Sequence, residues 1–156
     1  MSNSFPSKFA KNSEASTGFL FIKTYNLWHT RIKAELSQLD LTHPQFVALT
    51  TLAYLLEHQE EVNQRMVADL AEIDVMTLSQ IVRLLVQKAY IEKTVSRLDP
   101  RANALSLTSL GYEKIQKAVP VVEKLDAQFF GLLGSKQETF RESLKLLVTQ
   151  KKEQTK

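Results

Sequence analysis

The chain has 156 residues, of which 44% are hydrophobic, so it is long enough for one domain with a core and an appended interaction region. Its formal net charge is only +3, so any case for binding nucleic acid must depend on where the charges lie. The absence of cysteine excludes disulfides, thiol nucleophiles and thiolate metal sites and fits a cytoplasmic protein.

The first two segments are a polar arm and a long helix. Residues 1–17 are Ser-rich and have no apolar core segment, so we expect a flexible arm and not a secretory signal. Apolar side chains recur at helical spacing over residues 19–39, which predicts a helix. Its first turn is apolar almost all round, a pattern typical of a helix buried between several partners.

A second helix is predicted to begin at Thr42. Thr42 and Gln45 have the spacing of a capping box, in which each side chain accepts a hydrogen bond from the backbone of the other residue. The helix should end near residues 57–59. The acidic Glu60 and Glu61 follow, and because carboxylates repel phosphates we expect this turn to be solvated and to face away from any bound nucleic acid.

Two short helices joined by a tight turn are predicted over residues 64–73 and 75–88, which is the spacing of a helix-turn-helix. Small Ala71 should allow the two helices to approach closely, and Asp74 should adopt the left-handed backbone of the turn. In the second helix, one side is apolar and should face the core. Its members are Val75, Leu78, Ile81, Val82 and Leu85.

The opposite side of this second helix carries residue types that hydrogen-bond bases. Arg can bond guanine, Gln can bond adenine, and Ser or Thr can serve either. On a lone helix such a face is more often an ordinary solvated surface, and the DNA interpretation gains weight only from the basic loop that follows. The candidate contacts are Thr77, Ser79, Gln80 and Arg83.

A β-hairpin is predicted next, with strands over residues 91–96 and 102–108. Its tip, residues 97–101, carries Arg97 and Arg101. A helix fits the major groove of duplex DNA, and a projecting basic loop can reach the narrow minor groove beside it. The two elements together predict a two-part grip on duplex DNA.

Asp99 lies between the two arginines of the tip, where its charge would repel phosphate. We interpret it as a side chain that holds Arg97 or Arg101 in one rotamer, which lowers the entropy lost on binding. The alternative is a surface ion pair without a function. Pro100 should preset the turn.

Two further helices are predicted after the hairpin. Thr108 can cap a long helix that reaches residue 133, and Pro120 inside it should kink or divide it. Residues 135–138 have the spacing of a second capping box, which should open a last helix. The inward-facing residues of that helix should be Phe140, Leu144, Leu147 and Val148.

Several of these segments resemble the MarR-type regulators (multiple antibiotic resistance regulators). The Asp-Pro-Arg-Ala of residues 99–102 is similar to the Asp-x-Arg wing tip of that family, and residues 107–111 are similar to the Leu-Thr-x-x-Gly step after it. Residues 41–46 resemble the start of the family's second helix, and residues 84–88 the end of its recognition helix. The resemblance covers residues 19–148 and depends on the order and spacing of these motifs.

The resemblance implies a mainly α fold, a winged helix-turn-helix with long N- and C-terminal dimerisation helices and a small β-hairpin wing. Residues 18–40 and 109–150 would be the dimerisation helices, residues 41–108 the DNA-binding lobe, and residues 151–156 a frayed tail. It also implies a homodimeric transcription regulator, usually a repressor that binds a pseudo-palindromic operator and is released by a small ligand.

Two positions depart from the family pattern. The family usually has Gly where Ala89 stands, which predicts an unusual cap at the end of the recognition helix. It often has Gly where Asp74 stands, which leaves the angle of the helix-turn-helix open. Neither departure removes a predicted DNA contact.

Effectors of this family often lodge between the dimer helices and the winged lobe, and some are phenolic or otherwise aromatic. Aromatic residues with polar atoms are therefore candidate lining residues, although core or dimer interface is the favoured alternative for each. The candidates are Tyr25, Trp28, His29 and Tyr54.

Other function classes have little support in the sequence. His29, His43 and His58 are scattered without metal-ligand spacing, so no metal or cofactor is expected. We find no phosphate-binding loop and no nucleophile elbow, so no enzyme is expected. The competing hypothesis is a winged-helix protein-interaction module that binds no DNA, which the small charge excess favours.

Overall fold

The computed structural model describes residues 4–149, so the predicted frayed tail lies outside the described residues. A short 3₁₀ turn, Ser13–Ala15, lies within the predicted arm, and no helix of the described residues is long and apolar enough to cross a membrane. The helices and strands are α1 (Thr17–Gln38), α2 (His43–His58), α3 (Gln64–Ala71), α4 (Val75–Gln87), β1 (Ile91–Val95), β2 (Asn103–Leu107), α5 (Ser109–Gly131) and α6 (Gln137–Thr149).

The start of α2 confirms the predicted capping box. The backbone N–H of Gln45 donates to Thr42 Oγ1 at 3.3 Å, and the backbone N–H of Thr42 donates to Gln45 Oε1 at 3.2 Å. Lys88, the residue after α4, donates from Nζ to the same Gln45 Oε1 at 3.4 Å. The cap therefore contacts the end of α4 as well as stabilising α2.

The turn between α3 and α4 begins two residues earlier than predicted. Helix α3 ends at Ala71 because Glu72 adopts the left-handed conformation, with φ of 53°. Asp74 has φ of −56° and is the N-cap of α4, where its Oδ1 accepts from the backbone N–H groups of Met76 and Thr77 at 3.0 Å each. The expectation of a left-handed Asp74 was wrong, and the position needs no glycine.

The core lies between the helices of the lobe and the two long helices that flank it. Four of the five apolar residues predicted to face inward from α4 are buried, but Val75 is 37% exposed, and Ile73 packs against the core beside it. Ala68, not Ala71, is the buried small residue of α3. The largest fully buried side chains are Ile32, Leu36, Leu49, Leu52, Val62, Val67, Leu78, Val82, Leu85 and Ile91.

The wing (residues 91–107) forms the predicted antiparallel hairpin, with Ile91 opposite Leu107 and Val95 opposite Asn103. It is also paired on its inner side with the loop between α2 and α3, which the sequence did not predict. The backbone N–H of Leu105 donates to the carbonyl of Val62 at 2.7 Å. The middle of the wing is therefore joined to the core by this backbone hydrogen bond.

Helix α5 begins as predicted, with Thr108 Oγ1 accepting from the backbone N–H of Gly111 at 2.9 Å. A Cβ on Gly111 would overlap the carbonyl oxygen of Tyr90, so the close approach of α5 to the chain between α4 and β1 requires glycine there. Pro120 does not divide the helix, which runs unbroken to Gly131.

Helix α6 differs most from the prediction. A 3₁₀ turn, Gly134–Lys136, leads directly into it in place of the expected second capping box. No residue of α6 within the described chain is fully buried, but Phe140 and Leu144 are half-buried, and the Phe140 ring stacks on that of Phe130 in α5 with centroids 6.1 Å apart. Leu147 and Val148 are 69% and 61% exposed. The expected inward face is therefore partly covered at its first two residues and open at its last two within a single copy of the chain.

Candidate nucleic-acid interface

The outer face of α4 is exposed and polar, as the helical spacing predicted. Thr77, Ser79, Gln80 and Arg83 are all exposed. Thr77 Oγ1 lies 3.4 Å from Asp74 Oδ1, but the side chains of Ser79, Gln80 and Arg83 make no hydrogen bond or ion pair with any residue between 4 and 149. Their donors and acceptors are free for an external partner.

The N-terminus of α4 has its own internal partner. Its first free N–H groups donate to the Asp74 carboxylate, whose negative charge also offsets the positive end of the helix dipole. Anions near this helix must therefore be bound mainly by side chains and not by the helix end.

The C-terminus of α4 has the unusual cap predicted from Ala89. Ala89 has φ of 57°, and the backbone N–H groups of Ala89 and Tyr90 donate to the carbonyls of Val86 and Leu85, each at 2.9 Å. This is a Schellman motif with alanine where glycine is usual. Lys88 next to it reaches the carbonyl of Asp40 at 2.7 Å and so ties the helix end to the end of α1.

The tip of the wing is a turn fixed by backbone contacts. The N–H of Ala102 donates to the carbonyl of Asp99 at 2.9 Å, which places Pro100 at the second position of the turn as predicted. The Asp99 carboxylate accepts from the backbone N–H of Arg101 at 2.9 Å. The prediction that Asp99 holds an arginine rotamer was therefore wrong, because the backbone N–H two residues on is the nearer donor.

Both arginines of the tip are exposed, and neither guanidinium group of Arg97 or Arg101 forms an ion pair or hydrogen bond within the described part of the chain. The wing tip therefore presents two guanidinium groups on a backbone that is fixed in one turn, and the charge of Arg97 also acts on the nearby Glu61 carboxylate. Such charges are available to phosphate or to the floor of a groove.

The tip end of the wing is held by Glu61, a residue predicted to be merely solvated. Glu61 Oε1 accepts a short hydrogen bond from the Ser96 hydroxyl, and Oε2 accepts from the backbone N–H of Arg97 at 2.9 Å. These hydrogen bonds lower the pKa of Glu61, and the bond from Ser96 has the largest effect. No periodic pattern connects two residues 35 positions apart in a loop and a hairpin, so the sequence carried no signal for this contact.

The sequence also matches a family of known regulators. A family model described as "Transcriptional regulator SarA/Rot" matches residues 30–118, more than half of the chain, from the middle of α1 to the middle of α5. The chain belongs to the SarA/Rot family of transcriptional regulators.

One relative and several solved structures are also similar to this chain. A Bacillus subtilis (strain 168) protein named "Uncharacterized HTH-type transcriptional regulator YdcH" is 38% identical over 142 residues, which are 91% of this chain and 95% of that protein. A solved structure of a mutant MarR from E. coli with operator DNA has a TM-score of 0.75 at 20% identity, covering 91% of this chain and 98% of that one. The S. aureus MepR–DNA complex has a TM-score of 0.75 at 21% identity, covering 89% and 99%. The predicted winged-helix fold is confirmed.

The SarA/Rot chain also has an aromatic cluster where α1 meets the start of α2. Three of the four candidate effector residues lie in it together with His43. The ring centroids of Tyr25 and His29 are 5.2 Å apart, those of Trp28 and His43 are 5.2 Å apart, and those of His29 and His43 are 5.1 Å apart. The prediction that the histidines are scattered was wrong for this pair, which the fold brings together from two helices.

A cavity of about 310 Å³ opens beside this cluster. Its wall combines aromatic rings with polar atoms, the composition expected of a small-molecule site. Tyr54 does not belong to it and instead packs on His58 with a centroid distance of 4.3 Å. The lining residues are Tyr25, His29, Lys33, Ser37, Leu41, Thr42, His43 and Pro44.

The surroundings of His43 in this cluster favour its neutral form more than water favours the neutral form of a free histidine. Burial lowers the pKa of His43, the neighbouring His29 lowers it further, and the carboxylate of Asp126 opposes both. Asp126 also accepts a hydrogen bond from Trp28 Nε1 at 2.7 Å, which joins α1 to α5. Among the described residues, no group of three or more histidine, aspartate or glutamate side chains is placed to hold a metal ion.

Proposed function

We propose that this regulator binds a pseudo-palindromic duplex DNA operator as a cytoplasmic homodimer, with α4 in the major groove and the wing in the adjacent minor groove. The observation that carries the proposal is that Ser79, Gln80 and Arg83 on α4, and both guanidinium groups of the wing tip, are exposed and make no hydrogen bond or ion pair within residues 4–149. Arg83, Gln80, Ser79 and Thr77 would contact bases and phosphates, and Arg101 with Arg97 would hold the minor groove. Asp99 would contribute by fixing the tip backbone.

The homodimer is supported by apolar side chains that no residue of the described chain covers. Phe21 near the start of α1 is 59% exposed, Leu132 after α5 is 83% exposed, and Leu147 lies on the open face of α6. A second copy of the chain, related by a twofold axis and packed against these ends, would bury them and place the two α4 helices about 34 Å apart, one turn of DNA. Deletion of residues 140–148 should then yield monomers, which sedimentation would detect.

A small effector is supported by the cavity beside Tyr25, His29 and His43. An effector that binds there could change the spacing of the two lobes only to the extent that its affinity differs between the two dimer shapes. Trp28 is the single tryptophan of the chain, and it packs against His43. Its fluorescence should therefore change when an aromatic compound occupies the cavity. Repression is the form of regulation we propose.

The decisive experiment is selection of bound duplexes from a random pool. A dimeric reader of DNA should enrich two inverted half-sites one helical turn apart. Binding to the enriched duplex should weaken steeply as salt is raised, because phosphate contacts release counterions. No enrichment together with a flat salt response would favour the interaction module that binds no DNA.

A further inference from the structure

Ser96, between the end of β1 and the tip of the wing, is a buried residue whose hydroxyl has its hydrogen-bonding capacity fully used. Its Oγ accepts from the backbone N–H of Leu98 at 3.1 Å and from that of Asp99 at 2.9 Å. A hydroxyl has two acceptor lone pairs and one donor, so its proton must be donated elsewhere. It is donated to Glu61 Oε1.

Glu61 completes this network from outside the wing. It lies in the loop between α2 and α3, and its second oxygen accepts from the backbone N–H of Arg97. Three consecutive backbone N–H groups of the wing, those of residues 97–99, are therefore satisfied directly by Glu61 or through Ser96. The same loop is joined to β2 by the hydrogen bond between Val62 and Leu105, so it is a firm support.

We propose that Glu61 is a positioning residue for DNA binding, which presets the direction in which the wing tip projects. This inference rests on the proposed function, because it assumes that the arginines of the tip enter a groove. A preset tip loses less conformational entropy on binding than a mobile one. Glu61 itself need not contact DNA.

The proposal predicts a change in DNA affinity opposite in direction to the change that charge attraction alone predicts. Removing the charge of Glu61 raises the net charge of the chain by one, which by itself favours binding to phosphate. If Glu61 positions the wing, Glu61→Gln should nevertheless weaken binding. Charge and position thus give contrary predictions for one substitution.

Glutamine cannot replace the carboxylate in this network. Glu61 accepts with both oxygens, whereas an amide has one acceptor oxygen and one donor nitrogen. If the amide oxygen faces Ser96, the amide nitrogen meets the N–H of Arg97, and two donors oppose each other. If the amide is reversed, its nitrogen meets Ser96, whose lone pairs are already used.

The chain offers a matched control in Glu60. Glu60 lines the same groove beside Arg97 and Leu98, but it makes no hydrogen bond or ion pair with the wing within residues 4–149. Glu60→Gln therefore removes the same charge at nearly the same place without altering the network. Ser96→Ala provides a second test, because it breaks the network and leaves the net charge unchanged.

The experiment measures affinity for an enriched duplex and amide hydrogen exchange at residues 97–99 in the full-length variants. We expect Glu61→Gln and Ser96→Ala to weaken binding by about three- to tenfold and to speed amide exchange at residues 97–99. Glu60→Gln should bind as tightly as the unaltered chain or more tightly. Melting temperatures should show that each variant is folded.

The outcomes separate this inference from the function on which it rests. If Glu61→Gln binds as tightly as Glu60→Gln, or if exchange at residues 97–99 is unchanged, Glu61 does not position the wing. A third outcome is that amide exchange in Glu61→Gln is faster but neither Arg101→Ala nor Glu61→Gln alters DNA affinity. Glu61 would then hold the wing in the folded chain without contributing to DNA binding, and the inference would be overturned. If no duplex is bound at all, the proposed function fails. Amide exchange then tests the positioning role by itself, and unchanged exchange at residues 97–99 in Glu61→Gln would overturn that role.

Discussion

Helix α4 and the wing are adjacent in sequence but are held in place by different contacts. Helix α4 is fixed by an apolar side that enters the core, with Leu78 and Leu85 fully buried. The wing enters the core only with Ile91 and with the buried residues of β2, while the rest of β1 is exposed and the part next to the tip is fixed by polar contacts to the loop between α2 and α3, chiefly those of Glu61. Changes in the core should therefore unfold the lobe, whereas changes in the polar contacts next to the wing tip should redirect the tip.

The largest effect should follow from Leu78→Ala, which tests the apolar side of this comparison. Leu78 is fully buried, and truncating such a residue leaves a cavity that costs about 3 kcal/mol of the free energy of unfolding. Chemical denaturation would measure it. The exposed Leu98 of the wing tip is the matched control, and its change to alanine should shift stability by no more than about 0.5 kcal/mol. Equal losses would show that the wing tip shares the core.

Arg101→Ala should reduce DNA affinity strongly and leave the melting temperature unchanged. The Arg101 side chain has no partner in the described part of the chain, so its removal costs the fold nothing, and we expect a loss of about 2 kcal/mol in binding. Lys11→Ala is the control, since it removes one positive charge from the exposed segment before α1, outside the lobe. Unaltered affinity for Arg101→Ala would remove the wing from the mechanism.

Arg83→Ala should mainly change which sequences are bound. If Arg83 bonds guanine in the major groove, its loss should lower the preference for the operator over random DNA by about 1–3 kcal/mol. Competition binding with operator and random duplexes would measure that preference. An equal loss on both would show that Arg83 contacts only phosphate.

The contrast between α4 and the wing also explains which features were predictable from the sequence. The helices and the hairpin, the outer face of α4 and the capping box at Thr42 follow from local spacing along the chain. The contact of Glu61 with Ser96 and the pairing of His29 with His43 depend on how distant elements pack, and no local pattern encodes them. The open face of α6 was misjudged for a related reason, because periodicity shows that a side is apolar but not which chain covers it.

Ala89→Gly should stabilise the end of α4 slightly. Ala89 has φ of 57°, a conformation that costs a residue with a Cβ about 1 kcal/mol and glycine nothing. Part of this gain is offset by the greater freedom of glycine in the unfolded chain, so we expect a net increase of about 0.5 kcal/mol with DNA affinity unchanged. Thermal unfolding would measure it. A loss of stability would mean that the Ala89 methyl group contributes packing.

The smallest effect is a pH dependence confined to the wing. Hydrogen bonds from Ser96 and from the N–H of Arg97 lower the pKa of Glu61, so in the folded chain it stays charged to lower pH than an exposed glutamate. A carboxylate whose pKa is depressed by folding stabilises the fold fully above its unfolded value, and this stabilisation is lost as pH falls through the folded value.

The NMR signal of the Arg97 amide should therefore titrate in acid with a midpoint below the pKa of an exposed glutamate, whereas amides within α4 should not follow that midpoint. Glu61→Gln should abolish the titration, and Glu60→Gln should leave it in place. If the Arg97 amide moved together with the amides of α4, acid would be loosening the whole lobe. The wing would then not be an independently held element, and the distinction between its polar support and the apolar support of α4 would be lost.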